Sequence, residues 1–422
     1  MIKYEKLGNH VFVTKLAGFE HSKYIQFNET KRKVKDDDIP LVQGQNIRNG
    51  NFIEKYNYYI SKKISDELIR SKLNKKCILI PYVGSNLGEV GIFYHPYDCH
   101  MASNIAKIEL IDDYFDIEYL KYYLQSPIGQ SYLFVDKQGS AQPNITMQSI
   151  RNTLIIDKPK EEQLKIVKSL KEIDDKININ TQINNNLEEL MQTLYQRWFI
   201  EFNFPNEDGN PYKSSGGKMI WNEELKHEIP EGWNVENLID NINWIGGSQP
   251  PKSTFIYEKK DGYIRFIQNR DYDKEDHITY IKESKSNQLC TRTDIMMDKY
   301  GDAGKTRFGL EGAYNVALSK IDVKNKNLKE YIRYFLSSNS IYTYLHNSCI
   351  ASTRASLNES NLSFLKIVIP NEKILLEFNN IAIKNMDMLL KNKDESKKLT
   401  ELRDFLLPML MNGQINVDDV EI

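Results

Sequence analysis

The segment Gly301-Asp302-Ala303-Gly304-Lys305-Thr306 ends as a phosphate-cradling loop ends, with a lysine and a hydroxyl after glycine. A loop that wraps a triphosphate needs four residues between its glycines, and the position of the first one is held by Lys299. Two intervening residues are too few, which argues against nucleotide binding. Asn210-Pro211-Tyr212 is one proline short of the Asn-Pro-Pro-Tyr loop of adenine-N6 methyltransferases, and no glycine-rich cofactor strand accompanies it. His95-Pro96-Tyr97-Asp98-Cys99-His100 gathers four potential ligands, whereas zinc sites prefer separated ligand pairs. There is no H-E-x-x-H and no G-x-S-x-G. The reading is therefore a chain with no catalytic residues, no metal and no bound cofactor, whose chemistry lies in binding.

The elements that would position such binding residues are duplicated. Ile117-Glu118-Tyr119-Leu120-Lys121-Tyr122-Tyr123-Leu124 returns as Lys329-Glu330-Tyr331-Ile332-Arg333-Tyr334-Phe335-Leu336, with Tyr119 and Tyr331 lying 212 positions apart. The same shift carries Ser140 to Ser352, Ile145 to Leu357, Leu187 to Leu399 and Leu194 to Leu406. Matches in one order at one offset mark a tandem duplication. The counterpart of the His95–His100 run, Gly309 to Tyr314, carries no His or Cys, so a turn is the better reading there.

In each half, short β-like runs such as Cys77-Ile78-Leu79-Ile80 alternate with turn residues around one helical stretch. A long helix follows, opened by Pro159-Lys160-Glu161-Glu162 in one half and Pro370-Asn371-Glu372 in the other, with Asn371 as its cap. Ile166, Leu170, Ile173, Ile177, Asn180, Asn184, Leu187, Met191, Leu194 and Trp198 form a heptad seam. The second seam is Phe378, Ile381, Asn385, Met388, Asn392, Glu395, Leu399, Leu402, Leu406 and Met409, with Pro408 expected to stop the helix. Both seams are polar at the middle, which fixes one register. The economical packing is antiparallel, a rod of roughly 60 Å with one globular unit at each end. The fold expected is α+β: two similar α/β domains separated by two long antiparallel coiled-coil helices, a pseudo-twofold tandem repeat. Its boundaries are 1–158 for the first domain, 159–203 for the central helix, 204–228 for a Gly/Pro/Ser/Asn-rich linker, 229–370 for the second domain and 371–422 for the distal helix and tail.

Composition limits the setting. With 56 basic and 58 acidic residues the net charge is −2, so local charge rather than the total bears on a nucleic-acid partner. No apolar run suffices to span a membrane, the start lacks a signal peptide, and four cysteines form no C-x-x-C pair. A cytoplasmic protein is expected.

Two globular readers on one rod suit duplex DNA, whose half-sites recur every helical turn. The candidate reading loops of the first half carry Gln43, Gln45, Asn46 and Arg48, then Ser85 and Asn86, then Lys137, Ser140, Gln142 and Asn144. Their counterparts carry Gln268, Asn269 and Arg270, then Tyr300, Lys305 and Arg307, then Ser352, Thr353, Arg354 and Ser356. Gln and Asn pair with adenine edges and Arg with guanine, while Lys, Ser and backbone amides hold phosphates. The run Lys31-Arg32-Lys33 with Lys35 adds attraction. Because the helical frame matches while these loops differ, the target expected is bipartite and asymmetric.

On these residues the chain resembles the specificity subunit of type I restriction–modification systems. The resemblance rests on Lys158-Pro159-Lys160-Glu161-Glu162-Gln163, Ile229-Pro230-Glu231-Gly232-Trp233, Gly246-Gly247-Ser248-Gln249-Pro250-Pro251-Lys252, the glycine-spaced segment 301–304 and the duplicated frame. The second long helix departs from the pattern, having Asn371-Glu372-Lys373 and no Glu-Gln pair. The resemblance implies two target-recognition domains, a helical spacer and a non-catalytic subunit that binds double-stranded DNA. It also implies two methyltransferase subunits that use S-adenosylmethionine on adenine, and two restriction/translocase subunits that use ATP and magnesium. The alternatives are a protein-interaction scaffold and a free-standing methyltransferase or nuclease.

Overall fold

Every residue of Cys77–Pro81 is buried. A β-rich run without alternation faces water on neither side and takes an interior place. It lies antiparallel between Ile105–Leu110 and Gly91–Phe93, with Val11–Lys15 on the far edge beyond Ile105–Leu110. A second sheet runs in the order Tyr59–Ile60, Ile39–Val42, Cys99–Met101, Lys72–Leu73, and its central pair is parallel. Tyr4–Lys6 pairs with Leu154–Ile156. The computed structural model describes residues 3–135, 144–275, 277–350 and 356–419, without the side chain of Ile350.

The second half repeats this strand for strand. Ile242–Gly246, Leu318–Val323, Ile295–Asp298 and Thr306–Arg307 form the first sheet. Tyr280–Lys282, Tyr263–Ile267, Gly312–Tyr314 and Leu289–Cys290 form the second, again with a parallel central pair. Asn234–Asn237 pairs with Lys366–Ile369. Each first sheet is backed by two helices, Ile117–Gln125 with Pro127–Leu133 and Lys329–Ser337 with Asn339–Ile350. Asp116 caps the first by accepting from the amides of Glu118 and Tyr119. Even single bonds recur: Tyr119 donates to the Ile156 carbonyl at 3.2 Å, and Tyr331 to that of Val368 at 2.8 Å.

The long helices are Lys160–Tyr195, continued by a π-helical turn Gln196–Ile200, and Glu372–Met411. Asn371 accepts from the amide of Ile374 at 3.0 Å, so it caps the second as its sequence suggests. The chain clusters into two units, residues 1–178 with 396–422, and residues 179–395. In the first unit Ile166, Leu170 and Ile173 pack with Leu406, Leu407, Leu410 and Met411. In the second, Met191, Tyr195, Trp198 and Phe199 pack with Phe378 and Ala382. There Asn180 donates to Glu395 at 2.7 Å, Asn392 to Asn184 at 2.9 Å and Asn385 to the Leu187 carbonyl at 3.3 Å. As one number rises its partner falls, so within this unit the helices run antiparallel. Arg403 on Asp174 and Lys165 on Asp418 give the same sense in the first unit.

Three expectations need correction. The second seam slips at three places: Ile381, Met388 and Leu402 are exposed while Ala382, Met386 and Leu389 are buried, whereas Phe378, Asn385 and Leu406 are buried as the seam has them. Adjacent apolar residues made two phases possible, and the small Ala382 fits among the aromatic rings of the core. Pro408 does not stop its helix. It forfeits one intrahelical bond, at about 3 kcal/mol. Burial of Leu406, Leu407, Leu410 and Met411, at ~1.5–3 kcal/mol each, exceeds that. Nor is 204–228 a bare linker. Phe204 is buried and stacks on Trp233, and Met219–Asn222 pairs with His227–Pro230 as a hairpin of the second unit.

Phe378 is fully buried, with the rings of Trp198, Phe199 and Tyr334 within 6.0 Å. Phe378→Ala is expected to cost about 3–5 kcal/mol, read as a lower urea midpoint followed by tryptophan fluorescence.

Candidate nucleic-acid interface

In the first unit the strand Ile39–Val42 ends in a 3-10 turn, Gly44–Asn46. Asn46 makes that turn: its Oδ1 accepts from the Gln43 amide at 2.8 Å, and its Nδ2 donates to the carbonyls of Ile53 and Lys55. A hairpin follows, Ile47–Arg48 with Asn51–Phe52, turned by Asn49 and Gly50 at positive φ of 51° and 76°. The neighbouring loop, residues 82–88, is tied to it by Asn86, whose Nδ2 donates to the carbonyls of Gly44 and Ile47 at 3.1 and 2.9 Å.

The second unit builds the same pair of loops with other chemistry. Gln268 precedes the turn Asn269–Tyr272, and Asp271 accepts from its amide at 2.9 Å. The loop 299–305 lies beside it, and here the tie is Arg307. Its Nε and Nη2 donate to Asp298 Oδ2 at 3.1 and 2.9 Å, and its Nη1 to Asp273 Oδ1 at 2.8 Å. Burial pushes the Asp298 carboxyl up to about 6 despite the guanidinium, and its Oδ1 finds no hydrogen bond among the described residues. Asp273, more open, is held below its ordinary value by Arg307.

The glycine at the end of each loop is pressed on a helix. A Cβ on Gly88 would lie 2.6 Å from the Phe134 ring, and one on Gly304 2.8 Å from Leu345 Cβ; both have φ near +90°. The P-loop-like segment is thus a strand-connecting turn. Its amides are occupied internally, Gly304 donating to the Asp298 carbonyl and Lys305 to that of Asp302, both at 2.9 Å.

The structure sorts the expected readers. Gln45, Arg48 and Ser85 are exposed, and Gln43, half-buried, accepts from Gln45 at 3.0 Å. Arg270 and Tyr300 are exposed, Gln268 and Asn269 are half-buried, and Lys305 lies 3.4 Å from Asp302. Asn144 is exposed and Ser356 half-buried. Beside them Ile145 donates to the Tyr82 carbonyl at 3.1 Å and Leu357 to that of Lys299 at 2.9 Å. Lys137, Ser140, Gln142, Ser352, Thr353 and Arg354 lie outside the described residues. Asn46, Asn86 and Arg307 are corrected: read as outward-facing, they spend their donors inside the protein and hold loops. The Asn49-Gly50 dipeptide is the signal in the sequence for this hairpin.

The His95–His100 run diverges. His95 pairs with Glu54 at 2.7 Å, and Cys99 lies 3.6 Å from the Tyr56 hydroxyl. His100 lies 3.1 Å from Ser65, and burial pushes it down to about 4. No helix among the described residues is long and apolar enough to cross a membrane.

Two copies of one frame, each presenting polar loops from one sheet end, define a tandem recognition protein. The type I restriction modification DNA specificity domain matches residues 19–189 and again 230–401. The chain belongs to this family. It is 26% identical over 415 residues to the type I restriction enzyme MjaIX specificity subunit of Methanocaldococcus jannaschii, covering 91% of this chain and 88% of that one. It is 25% identical over 341 residues to the HindI specificity subunit of Haemophilus influenzae, covering 67% and 73%. The crystal structure of a type I restriction-modification S subunit from M. genitalium shares the fold, with TM-score 0.56 and 15% identity over 97% of this chain and 96% of that one. The chain is thus a specificity component, not the catalytic part, of a restriction–modification system.

Arg307→Ala leaves the Asp298 carboxyl, 1% exposed, without its partner. The expected cost is about 3–5 kcal/mol at pH 8. Arg307 lowers the Asp298 pKa that burial raises, so in the variant that pKa rises further above the ordinary 3.8; the folded variant binds this proton more tightly than the unfolded chain and regains stability as pH falls from 8. Urea unfolding at pH 8 and pH 5 checks both statements.

Proposed function

We propose that this chain reads a bipartite, asymmetric duplex sequence, one half with each unit, and directs adenine methylation by two methyltransferase subunits carrying S-adenosylmethionine. Two restriction/translocase subunits, using ATP and magnesium, complete the complex where cleavage occurs. The reading is carried by one observation: two sheet frames alike strand for strand, whose paired loops are tied by Asn86 in one and by Arg307 in the other. A shared frame with unlike loops suits two different half-sites. Gln45, Arg48 and Ser85 are the base and phosphate contacts proposed in the first unit, and Arg270, Tyr300 and Lys305 in the second. Asn144 and Ser356 are proposed to join them.

Sequencing of methylated adenines in the host genome, with and without this gene, tests the function. A two-part motif that vanishes with the gene is expected, and an unchanged methylation pattern rejects the reading. In the assembled complex, Arg270→Ala should weaken binding by about 1–3 kcal/mol and relax only one half of the motif. Equal weakening on scrambled DNA would make Arg270 a phosphate contact. Four residues inserted into the helix Lys160–Tyr195 should change the gap between the half-motifs or abolish methylation; an unaltered gap in an active complex removes the helix as spacer.

A further inference from the structure

In each unit the chain crosses from the edge strand of the first sheet to an interior strand of the second, through residues 16–38 in one and 247–262 in the other. Both crossings are pinned alike. Thr30 exchanges two backbone hydrogen bonds with Tyr59, each 2.9 Å, and Ile256 exchanges two with Tyr280, at 3.1 and 2.8 Å. Tyr59 and Tyr280 occupy the matching edge strands of the second sheet. Beside each pin stands a bare aromatic ring, Phe27 at 83% exposure and Tyr257 at 70%.

A single exposed apolar residue is ordinary on any surface. Here the company is not. Lys31, Arg32, Lys33 and Lys35 are all exposed. Lys33 reaches only the Asp36 carbonyl, at 2.7 Å, and the other three form no ion pair with the described residues. In the second unit Lys252, Lys259 and Lys260 are exposed beside Tyr257, with Glu258 and Asp261 among them, as Asp36 and Asp37 stand exposed directly after the cations of the first. Each crossing also starts at the base of the reading loops. Lys15 Nζ stands 4.9 Å from the Tyr82 ring centroid, and Ser248 donates to the Tyr314 carbonyl at 3.1 Å. A stackable ring among unpaired cations fits a polyanion that offers flat faces, which is nucleic acid rather than an acidic protein.

We propose that residues 26–35 form an arm that grips the duplex beside the bases read by the first unit, with Phe27 wedged against a base step and Lys31, Arg32 and Lys35 on the flanking phosphates. Residues 252–260 serve the second unit in the same way through Tyr257. Such a wedge bends the duplex and is indifferent to sequence. The proposal rests on the DNA-recognition reading and adds contacts that the paired loops do not supply.

The test uses the assembled complex with two duplexes, one carrying the methylated motif and one scrambled, each labelled at both ends for energy transfer. Phe27→Ala should reduce the bend and weaken binding to both duplexes about ten-fold. Phe364→Ala, at a ring 79% exposed elsewhere, should change neither. Replacing Lys31, Arg32 and Lys35 by alanine should lower the salt slope of binding by up to about 3. If Phe27→Ala behaves as Phe364→Ala and the slope is unchanged while the motif is still bound, the arm is refuted and the reading loops stand. Competition by polyglutamate as effective as that by duplex would assign the cations to an acidic protein and refute it equally. Failure of the unaltered complex to bind either duplex removes the DNA reading itself.

Discussion

Each unit closes its core with a stretch of both long helices, the first from two separate segments of sequence and the second within residues 179–395. The first needs residues 396–422 to return and lay Leu406, Leu410 and Met411 against Ile166, Leu170 and Ile173. The second needs Phe378 and Ala382 beside Trp198 and Phe199. Pairing of the two long helices is therefore part of each core rather than a connection between finished domains. Closing so long a loop adds little entropy cost beyond that of a shorter one, and burial of several large side chains at ~1.5–3 kcal/mol each outweighs it. The buried asparagines add no net burial energy. Their amides fit one alignment only, since a shift along either helix would leave Asn180, Asn184 and Asn385 without partners.

On that foundation the two units share what burial dictates and differ where water reaches. The Tyr119 and Tyr331 hydroxyls hold equivalent carbonyls, and glycines 88 and 304 both yield to a helix at positive φ. The loops tied above these points are held by unlike means. A neutral amide at Asn86 satisfies two carbonyls without burying charge, whereas Arg307 brings a guanidinium and two carboxylates partly out of water. Such a network costs desolvation, visible in the raised Asp298 carboxyl. It fixes two loops in one arrangement, and that rigidity is what a polar recognition surface requires.

Much of this was legible in the residues, for physical reasons. The duplication showed because the buried frame tolerates few side chains at each place, so both copies kept Tyr119 and Tyr331. The first seam showed because its apolar and asparagine positions are separated by polar ones, leaving a single phase. The second seam offered Ile381 beside Ala382 and Met388 beside Leu389. Hydrophobicity favoured the larger residue, while packing around aromatic rings took Ala382. Pro408 and the segment 204–228 were misread for a related reason: local propensity speaks for a stop and a linker, and tertiary burial overrides both. In the candidate interface, residue type identified polar loops but not the direction of each side chain. Asn46, Asn86 and Arg307 have the donors of base readers, yet a neighbouring carbonyl or carboxylate had already taken them.

The distinction between donors turned inward and donors left to solvent also bears on the proposal that one frame serves two half-sites. A side chain that ties loops together cannot change without its partners, so Asn86 and Arg307 each come with their own set of acceptors. Gln45, Arg48 and Ser85 in one unit, and Tyr300 in the other, are under no such constraint, because replacing them leaves no buried group unsatisfied, whereas Arg270 lies 3.6 Å from the buried Asp271 carboxylate. Exposed side chains of this kind can therefore vary at a cost of tenths of a kcal/mol in stability, while the ties beneath them vary only as complete networks. A frame organised in this way changes what it presents to solvent without disturbing how it folds, and this separation is what the proposed reading of two unlike half-sites by one duplicated scaffold demands.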